Sequence, residues 1–423
     1  MHDVCLSCCG PRSFLPVVRG EWRRSWLRAK PAGMTDPRPL AGVRVLELAR
    51  ILAGPWAGQL LADLGADVIK VERPGEGDDT RHWGPPFIEG ADGAPLGAAY
   101  YHACNRGKRS VAIDLATPGG QARVRELVAG ADVVIENYKV GGLIQYGLDH
   151  ATLRAAHPRL VWCSVSGFGQ DGPYATRAGY DFVVQAMGGI MSLTGEPDGP
   201  PQKSGVAIAD LFTGLYATVA ILAALRRRDA DGDCEGRGAH IDMALLDTQV
   251  AVLANQALNW MASGRVPGRM GNGHANLAPY QSLPTSDGDL IVAVGNDRQF
   301  ALLCGVLRVP GIAADPRFST NPGRVTHRAA LIPLLVAETV RWSSAALYAA
   351  LEAAGVPVGP VNRVDQVFAD PQVVARGLRL ALTDDWGSAL PGLAGPIVID
   401  GVRQASNRPA PRLGQDEDAT WAN

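Results

Sequence analysis

The chain has 423 residues, of which 40 are Lys or Arg and 42 are Asp or Glu, so its formal net charge is −2. Hydrophobic residues make up 47% and charged residues 19%, a globular balance that excludes a disordered tail, a collagen-like fibre and a charged helical rod. The near-neutral charge argues against a strongly basic nucleic-acid surface, and the length predicts about two to three domains.

Residues 1–33 differ in composition from the rest of the chain. They hold six basic and two acidic residues, together with Cys5, Cys8 and Cys9. Met34 leads directly into the first predicted strand, so 1–33 is interpreted as a leader or start-site extension. An Arg-rich, acid-poor leader is also typical of a transit peptide. A metal site is not predicted at these cysteines, because only His2 lies near as a further ligand.

The following residues alternate strands and helices. Residues 43–48 predict a strand, Pro55 begins a helix that Gly65 closes, and residues 67–72 predict the next strand. Further predicted elements are a strand at 110–115, a helix at 118–129 and strands at 132–136 and 159–165. Short strands alternating with helices predict a parallel sheet that is covered on both faces.

The second half of the chain predicts a smaller α+β region. An apolar helix at 211–225 ends at three arginines, which suit the negative end of a helix dipole. The apolar run 207–225 is long enough to span a membrane, but Asp210 and Gly214 favour a buried helix of a soluble protein. Strands are predicted at 239–243 and 289–294, and helices at 244–262, 297–308 and 328–355.

Several common catalytic motifs are absent from the sequence. The chain lacks a Gly-x-Gly-x-x-Gly fingerprint after a strand, a Walker lysine motif, a Gly-x-Ser-x-Gly elbow and a His-Glu-x-x-His pair. Seven widely spaced cysteines indicate reduced thiols in a cytoplasmic-type compartment.

Nine ordered blocks remain as distinctive features of the sequence. They are 52–55, 67–74, 77–86, 105–110, 136–138, 179–181, 205–210, 271–274 and 359–362. With these blocks the chain resembles the class III CoA-transferases of the formyl-CoA transferase and carnitine CoA-transferase type, from about residue 39 to 415. Within that family it is most similar to the succinyl-CoA–hydroxymethylglutarate CoA-transferase group.

The resemblance implies an α/β fold and an enzymatic function. We expect a Rossmann-like large domain beginning at 34–238, a smaller α+β domain at 239–368, and a segment at 369–423 that returns to the large domain. The family implies an interlinked homodimer that transfers coenzyme A from an acyl-CoA to a carboxylic acid. It also implies a CoA thioester as co-substrate, no tightly bound cofactor, no metal, no nucleic-acid or membrane partner, and a cytoplasmic location.

The resemblance assigns the central chemical role to Asp210, just ahead of the predicted 211–225 helix. In the family this aspartate attacks the thioester, and an aspartyl anhydride and then an aspartyl-CoA thioester form. We expect the helix N-terminus to favour the ionised carboxylate. An aspartate before a helix is also a common N-cap, and the two roles are compatible.

The residues expected to contact CoA follow from matching positions in the family. They are Leu52, Ala53, Arg73, Ile113, Asn137, Tyr138 and Tyr180. Many relatives have a phosphate-binding arginine where this chain has Gln145, and Lys139 is a candidate replacement. Lys108 and Arg109 form a second pair of candidate cations for the phosphates of CoA. In relatives the loop corresponding to Gly271, Gly273 and His274 lies over the active site and shields it from water.

Two other functions are compatible with parts of the sequence. The α-methylacyl-CoA racemases share the fold and the aspartate but use a histidine in Gly-His-Asp, where this chain has Gly179-Tyr180-Asp181. Tyrosine does not readily replace histidine as a base near neutral pH, which favours the transferase. A non-catalytic CoA-thioester-binding protein is the alternative from another class, and the presence of Asp210 argues against it.

A dicarboxylate as the acid substrate rests only on the subgroup likeness. Its second carboxylate would require a cation, for which Arg81, Arg106 and Arg298 are candidates.

Overall fold

The computed structural model describes residues 38–230 and 236–421. The segment 1–33, predicted to be a leader or start-site extension, lies outside these residues.

A six-stranded parallel sheet forms the centre of the first half of the chain, with the strand order β5-β2-β1-β6-β7-β8. Its strands are β1 (Arg44–Glu47), β2 (Asp67–Glu72), β5 (Arg109–Ala112), β6 (Val133–Glu136), β7 (Val161–Ser166) and β8 (His240–Ala244). The order reverses between the neighbouring strands β1 and β6, where successive connections run to opposite sides. In open parallel sheets, ligands bind at the carboxyl ends of the strands at such a switch point.

The helices of the first half cover both faces of this sheet, because its strands are apolar on both sides. They are α1 (Ala53–Asp63), α2 (Ala99–Cys104), α3 (Pro118–Ala129), α4 (His150–Ala156), α5 (Asp181–Met187), α6 (Ile190–Leu193) and α7 (Ile208–Asp229). One buried core joins α1 and α7 to the sheet, and a second joins α3 and α4 to the opposite face. Short 3-10 helices lie at Asp79–His82 and Ile144–Tyr146.

Small antiparallel sheets and short helices make up most of the remainder. The strands are β3 (Phe87–Glu89), β4 (Pro95–Ala98), β9 (Tyr280–Pro284), β10 (Asp289–Ala293), β11 (Val358–Pro360), β12 (Arg379–Thr383), β13 (Ala389–Leu393), β14 (Val398–Ile399) and β15 (Val402–Arg403). The helices are α8 (Leu245–Ala251), α9 (Ala254–Ser263), α10 (Asp297–Val306), α11 (Pro310–Ala314), α12 (Asn321–Thr326), α13 (Arg328–Thr339), α14 (Ser344–Ala353), α15 (Val364–Ala369) and α16 (Pro371–Ala375). A separate core packs α10, α13 and α14 against β9 and β10.

The predicted α/β class and parallel sheet are confirmed, and the bounds of β2 and α3 match the prediction. Three predicted helices are corrected. The helix at 211–225 begins earlier, at Ile208, so Asp210 lies in its first turn instead of ahead of it. The helix at 244–262 is two helices, and Ala254, the first residue of the second, has a positive φ of 45°. The helix at 328–355 bends by 111° where Ser343 caps a new helix.

The domain bounds at 238 and 368 stay a prediction. Strand β8 begins at His240 and pairs with β7, so the large sheet itself continues past residue 238. Among the described residues one helix, α7, is long and apolar enough to cross a membrane. Buried core helices meet the same criterion, and the inner face of α7 packs in the core with α1.

Candidate active site

A cleft of about 170 Å³ opens at the switch point of the sheet. It lies at the carboxyl ends of β1, β6 and β7, and it reaches the first turn of α7. The cleft brings together seven of the predicted site residues: Leu52, Ala53, Asn137, Tyr138, Lys139, Tyr180 and Asp210. These residues come from four separate segments of the chain, so the fold assembles the site.

Asp210 is the third residue of α7, after Ile208 and Ala209. The residue before the helix is Ala207, whose side chain has no acceptor for the free N–H groups of the first turn. The Oδ1 atom of Asp181 accepts these bonds instead, from the backbone N–H of Ala209 at 2.8 Å and of Asp210 at 3.3 Å. The cap of the helix therefore comes from a residue that is distant in sequence.

The environment of Asp210 favours the neutral carboxyl form. Burial first, and then the negative charge of Asp181, raise the pKa of Asp210 to about 7. We expected the N-terminus of α7 to favour the ionised form and so to lower the pKa of Asp210. This expectation is wrong, because the net shift of that pKa is upward. Desolvation and a like charge outweigh the helix dipole here. A carboxylate with this pKa is both basic and substantially ionised near neutral pH.

Tyr100 on α2 interacts electrostatically with Asp210, and sequence reasoning missed it. Burial, followed by the charge of Asp210, raises the pKa of Tyr100 to about 12, and Asp181 adds to the same effect. Its phenol is therefore neutral and able to donate a hydrogen bond near Asp210. The edge of the Trp83 ring contacts Tyr100, with ring centroids 5.3 Å apart. The only signal in the sequence is a tyrosine in a short helix, which is too common to indicate a site.

The turn after β1 forms one wall of the cleft in a strained conformation. Ile51 has φ = 74°, which is unfavourable for a β-branched residue. Its backbone N–H lies 3.2 Å from both carboxylate oxygens of Asp78. Asp78 in turn pairs with the buried ammonium of Lys70 at 2.9 Å, and Lys70 donates to the carbonyl of Ala49 at 2.7 Å. A buried ion pair therefore fixes the turn that faces Asp210.

Asn137 fixes the same turn from the neighbouring strand. Its Oδ1 accepts from the backbone N–H of Arg50 at 3.0 Å, and its Nδ2 donates to the carbonyl of Arg50 at 2.6 Å. The two bonds join the chain segments that follow β1 and β6. The side-chain amide of Asn137 is thus bonded to protein backbone in this structure.

A second cavity, of about 400 Å³, adjoins the cleft through Arg50 and Tyr138, which line both. Two further predicted residues, Arg73 and Ile113, line this second cavity. Arg73 is exposed and pairs with Glu76 at 3.0 Å. Such an exposed pair is weak, so its guanidinium is available to a ligand.

Gln145 occupies the position where the resemblance leads us to expect a phosphate-binding arginine, and it does not replace that cation. Gln145 donates to the carbonyl of Gly142 at 3.1 Å, whereas Lys139 and Arg177 are exposed cations on the wall of the cleft. Lys139 was predicted as a candidate, and Arg177 was not.

The loop with Gly271, Gly273 and His274 is not among the residues that line the cleft at Asp210. Both glycines line a different cavity, of about 350 Å³, together with Glu196 and Arg328. The Nδ1 atom of His274 accepts from the backbone N–H of Asn276 at 3.1 Å. A shielding role for this loop stays a prediction.

Several of the basic residues predicted as candidates for binding substrate form ion pairs with buried acidic side chains. Arg81 binds Glu72 through two bonds of 2.7 and 2.8 Å, and Arg106 pairs with Asp63. Lys108 is buried beside Glu47 at 2.8 Å. Removing a partner from a buried pair is costly, so Arg81 and Arg106 are poor receptors for a substrate carboxylate. Arg298 is exposed outside the lining of the cleft, and Arg109 pairs with Asp67.

Within the described part of the chain, no group of three or more His, Cys, Asp or Glu side chains is arranged to hold a metal ion.

Three kinds of comparison agree on the relatives of this chain. The family model described as CoA-transferase family III matches residues 40–417. A succinate–glutarate CoA-transferase of Agrobacterium fabrum is 56% identical over 90% of this chain and 94% of its own. A human succinyl-CoA:glutarate CoA-transferase is 40% identical over 96% of this chain and 90% of its own. The crystal structure of a CAIB/BAIF family protein from Brucella suis superposes with a TM-score of 0.79, at 55% identity, covering 90% of this chain and 98% of that one.

Proposed function

The chain belongs to CoA-transferase family III, and from that premise we propose that Asp210 is the nucleophile that moves coenzyme A from succinyl-CoA to glutarate or a similar dicarboxylic acid. The chain is a CoA-transferase that uses a CoA thioester as co-substrate. The single observation that supports the assignment of Asp210 is its place at the end of the switch-point cleft, in an environment that makes the carboxylate basic.

The proposed reaction requires no net proton transfer. The Asp210 carboxylate attacks the thioester carbonyl, the C–S bond breaks, and a mixed anhydride and CoA thiolate form. The thiolate attacks the aspartyl carbonyl, so the first acid leaves as a carboxylate and an aspartyl-CoA thioester remains. The incoming carboxylate attacks this thioester, the C–S bond breaks again, and a second anhydride and CoA thiolate form. The thiolate then attacks the acyl carbonyl of the new acid, which restores the Asp210 carboxylate.

We assign the two adjoining cavities to the two ends of coenzyme A. The thioester end would lie in the cleft at Asp210, and the nucleotide end would lie in the larger cavity beside Arg73 and Ile113. Tyr138 lines both cavities, and we expect its ring to contact the connecting arm. We assign to Lys139 the phosphate contact that the arginine at the position of Gln145 makes in relatives.

The cations of the cleft are the natural receptors for a second substrate carboxylate. Arg50, Lys139 and Arg177 line the cleft, whereas Arg81 and Arg106 are committed to buried acids. Arg50 pairs with Asp79 at 3.1 Å in an exposed contact that a substrate can replace. A dicarboxylate acceptor therefore has complementary charge available close to the nucleophile.

We further propose a homodimer in a cytoplasmic-type compartment. An apolar stripe on the exposed outer face of α7 supports the association. The described cysteines Cys104, Cys163 and Cys304 are unpaired and buried, which is compatible with a reducing compartment.

The test of the nucleophile is to trap the acyl enzyme. Succinyl-CoA and hydroxylamine are added to the wild type and to Asp210→Asn, and the peptides are analysed by mass spectrometry. We expect a hydroxamate on Asp210 in the wild type and no adduct at position 210 in the variant. Absence of the wild-type adduct, together with exchange of the α-proton of a 2-methylacyl-CoA in deuterated buffer, would instead support a racemase.

The test of the substrates is a thioester-exchange panel. Succinyl-, glutaryl- and oxalyl-CoA are offered as donors, with dicarboxylic and monocarboxylic acids of matched length as acceptors. We expect kcat/KM to be at least about tenfold higher for dicarboxylates, because a charge-assisted contact is worth more than about 1.4 kcal/mol. Equal rates for the two classes of acid would contradict the dicarboxylate assignment.

A further inference from the structure

The side chain of Asp181 makes contacts that the first residue of a helix does not usually make. Asp181 is the first residue of α5, yet its carboxylate points to a different helix, α7, and accepts the N–H groups of Ala209 and Asp210. Since Ala207 offers no side-chain acceptor, Asp181 replaces the missing cap of the helix that bears the nucleophile.

A second chain of bonds holds Asp181 itself in place. Its Oδ2 accepts from the Nε2 of Gln185 at 2.7 Å, and the Oε1 of Gln185 accepts from the backbone N–H of Ser204 at 2.9 Å. Gln185 is fully buried, so this orientation is fixed by packing as well as by hydrogen bonds. The network ties α5 to the segment that leads into α7.

We propose that Asp181 is the positioning residue for the nucleophile: its carboxylate caps α7 and thereby fixes the place and the electrostatic environment of the Asp210 side chain. The inference rests on the proposed role of Asp210. Asp181 itself is not among the residues that line the cleft, so it acts through Asp210 and not on the substrate.

The charge of Asp181 has a separate consequence from its cap. Tyr100 on α2 also interacts electrostatically with Asp210, and the other charged or titratable side chains that line the cleft with it are Arg50, Tyr138, Lys139, Arg177 and Tyr180. Besides burial, the charge of Asp181 is what raises the pKa of Asp210. A more basic carboxylate is a stronger nucleophile towards a thioester, provided that it is ionised at the working pH.

Two substitutions separate the cap from the charge. Asp181→Ala removes both, whereas Asp181→Asn keeps the Oδ1 acceptor for α7 and removes the charge. The amide of Asp181→Asn would place its Nδ2 against the Nε2 of Gln185, donor against donor. The double variant Asp181→Asn with Gln185→Glu restores that bond and serves as the rescue control.

The measurements are kcat and KM across pH, with hydrogen–deuterium exchange of the peptide that contains Ala209 and Asp210. For Asp181→Asn we expect the acid limb of kcat/KM to move to lower pH by about one unit, because a like charge is lost. For Asp181→Ala we expect kcat to fall at least about tenfold with KM for succinyl-CoA within about twofold, and faster exchange at the two amides. The contact between two donors at Gln185 should also lower kcat in Asp181→Asn, and the double variant should recover most of that loss.

Two results would overturn the inference. One is a pH profile of Asp181→Asn that equals that of the wild type. The other is a folded Asp181→Ala whose kcat and hydrogen–deuterium exchange at Ala209 and Asp210 equal those of the wild type. If Asp181→Ala does not fold, the pH profile of Asp181→Asn decides alone. Failure of the proposed function would give a different result. The wild type would show no adduct on Asp210, while hydrogen–deuterium exchange would still show whether Asp181 caps α7.

Discussion

At the scale of the residue, the site depends on how strongly the fold perturbs one carboxyl group. Asp210 lies partly buried beside a second carboxylate, and its pKa of about 7 exceeds the ordinary value of 3.8. A nucleophile that is basic and still ionised at neutral pH suits acyl transfer. The same perturbation destabilises the folded protein, because folding then opposes ionisation of the group.

The first prediction concerns stability and pH in Asp210→Asn. Because the folded pKa is raised, the stabilising effect of the wild-type carboxyl is present below pH 3.8 and is lost as the pH rises through 7. The amide does not ionise, so the variant should gain about 2 to 4 kcal/mol relative to the wild type between about pH 4 and pH 8. Chemical denaturation at several pH values measures this difference.

The matched control is Asp365→Asn. Asp365 is exposed, and the hydrogen bond from Arg363 lowers its pKa, so a change there should be small and of opposite sign. A stability difference for Asp210→Asn that does not depend on pH would contradict the raised pKa.

At the scale of the element, the contact between α1 and α7 sets the geometry of the site. The α1 N-terminus places Leu52 and Ala53 on the cleft, and α7 places Asp210 opposite them. Gly214 lies one turn after Asp210, where a Cβ atom would be 2.6 Å from the carbonyl oxygen of Ala53. The close approach of the two helices therefore requires glycine at this position.

The second prediction is that Gly214→Ala damages both stability and turnover. The added methyl group must push α7 away from the backbone of Ala53, which should cost about 1 to 3 kcal/mol of folding free energy. Because Asp210 moves with α7, we expect kcat to fall at least about tenfold. Urea denaturation and steady-state kinetics measure the two effects.

Gly305→Ala is the control for the same chemical change. Gly305 lies inside α10, and the point where an alanine Cβ would lie has no other atom within 4 Å, so alanine should stabilise that helix by up to about 1 kcal/mol. Identical behaviour of the two variants would show that the helix contact does not constrain the site.

At the scale of the whole molecule, the outer face of α7 presents an unpartnered apolar stripe. Phe212, Leu215, Tyr216 and Val219 recur at helical spacing and are 37%, 45%, 45% and 55% exposed. Large exposed apolar patches of this kind mark interfaces. A second copy of the chain is the occupant that we propose.

The third prediction follows from that stripe. Sedimentation velocity of the wild type should give a dimer, and Leu215→Glu with Val219→Glu should shift it towards monomer, because charge is costly in an apolar interface. Val374→Glu, at an exposed position of α16, is the control and should leave the dimer intact. A monomeric wild type, or binding of the wild type to lipid vesicles through this stripe, would contradict the proposal.

Much of the fold was predictable because its signals are local. The alternation of apolar strands and helices predicted the parallel sheet, and the bounds of β2 and α3 were correct. Helix ends were less predictable. The break at Ser343 depends on a capping bond to Ala346 and on a bond from Ser344 to the distant Asp287, and the start of α7 depends on a cap from another helix.

The sequence by itself determined the α/β class and, through the ordered blocks, the CoA-transferase family. Ordered blocks and strand periodicity are properties of neighbouring residues, and they survive without knowledge of the packing. Tertiary structure alone decided which charges are free. Arg81 and Arg106 are bound by buried acids, Tyr100 and Asp181 interact electrostatically with Asp210, and the pKa of Asp210 is raised. These outcomes depend on burial and on partners distant along the chain, and a sequence pattern specifies neither.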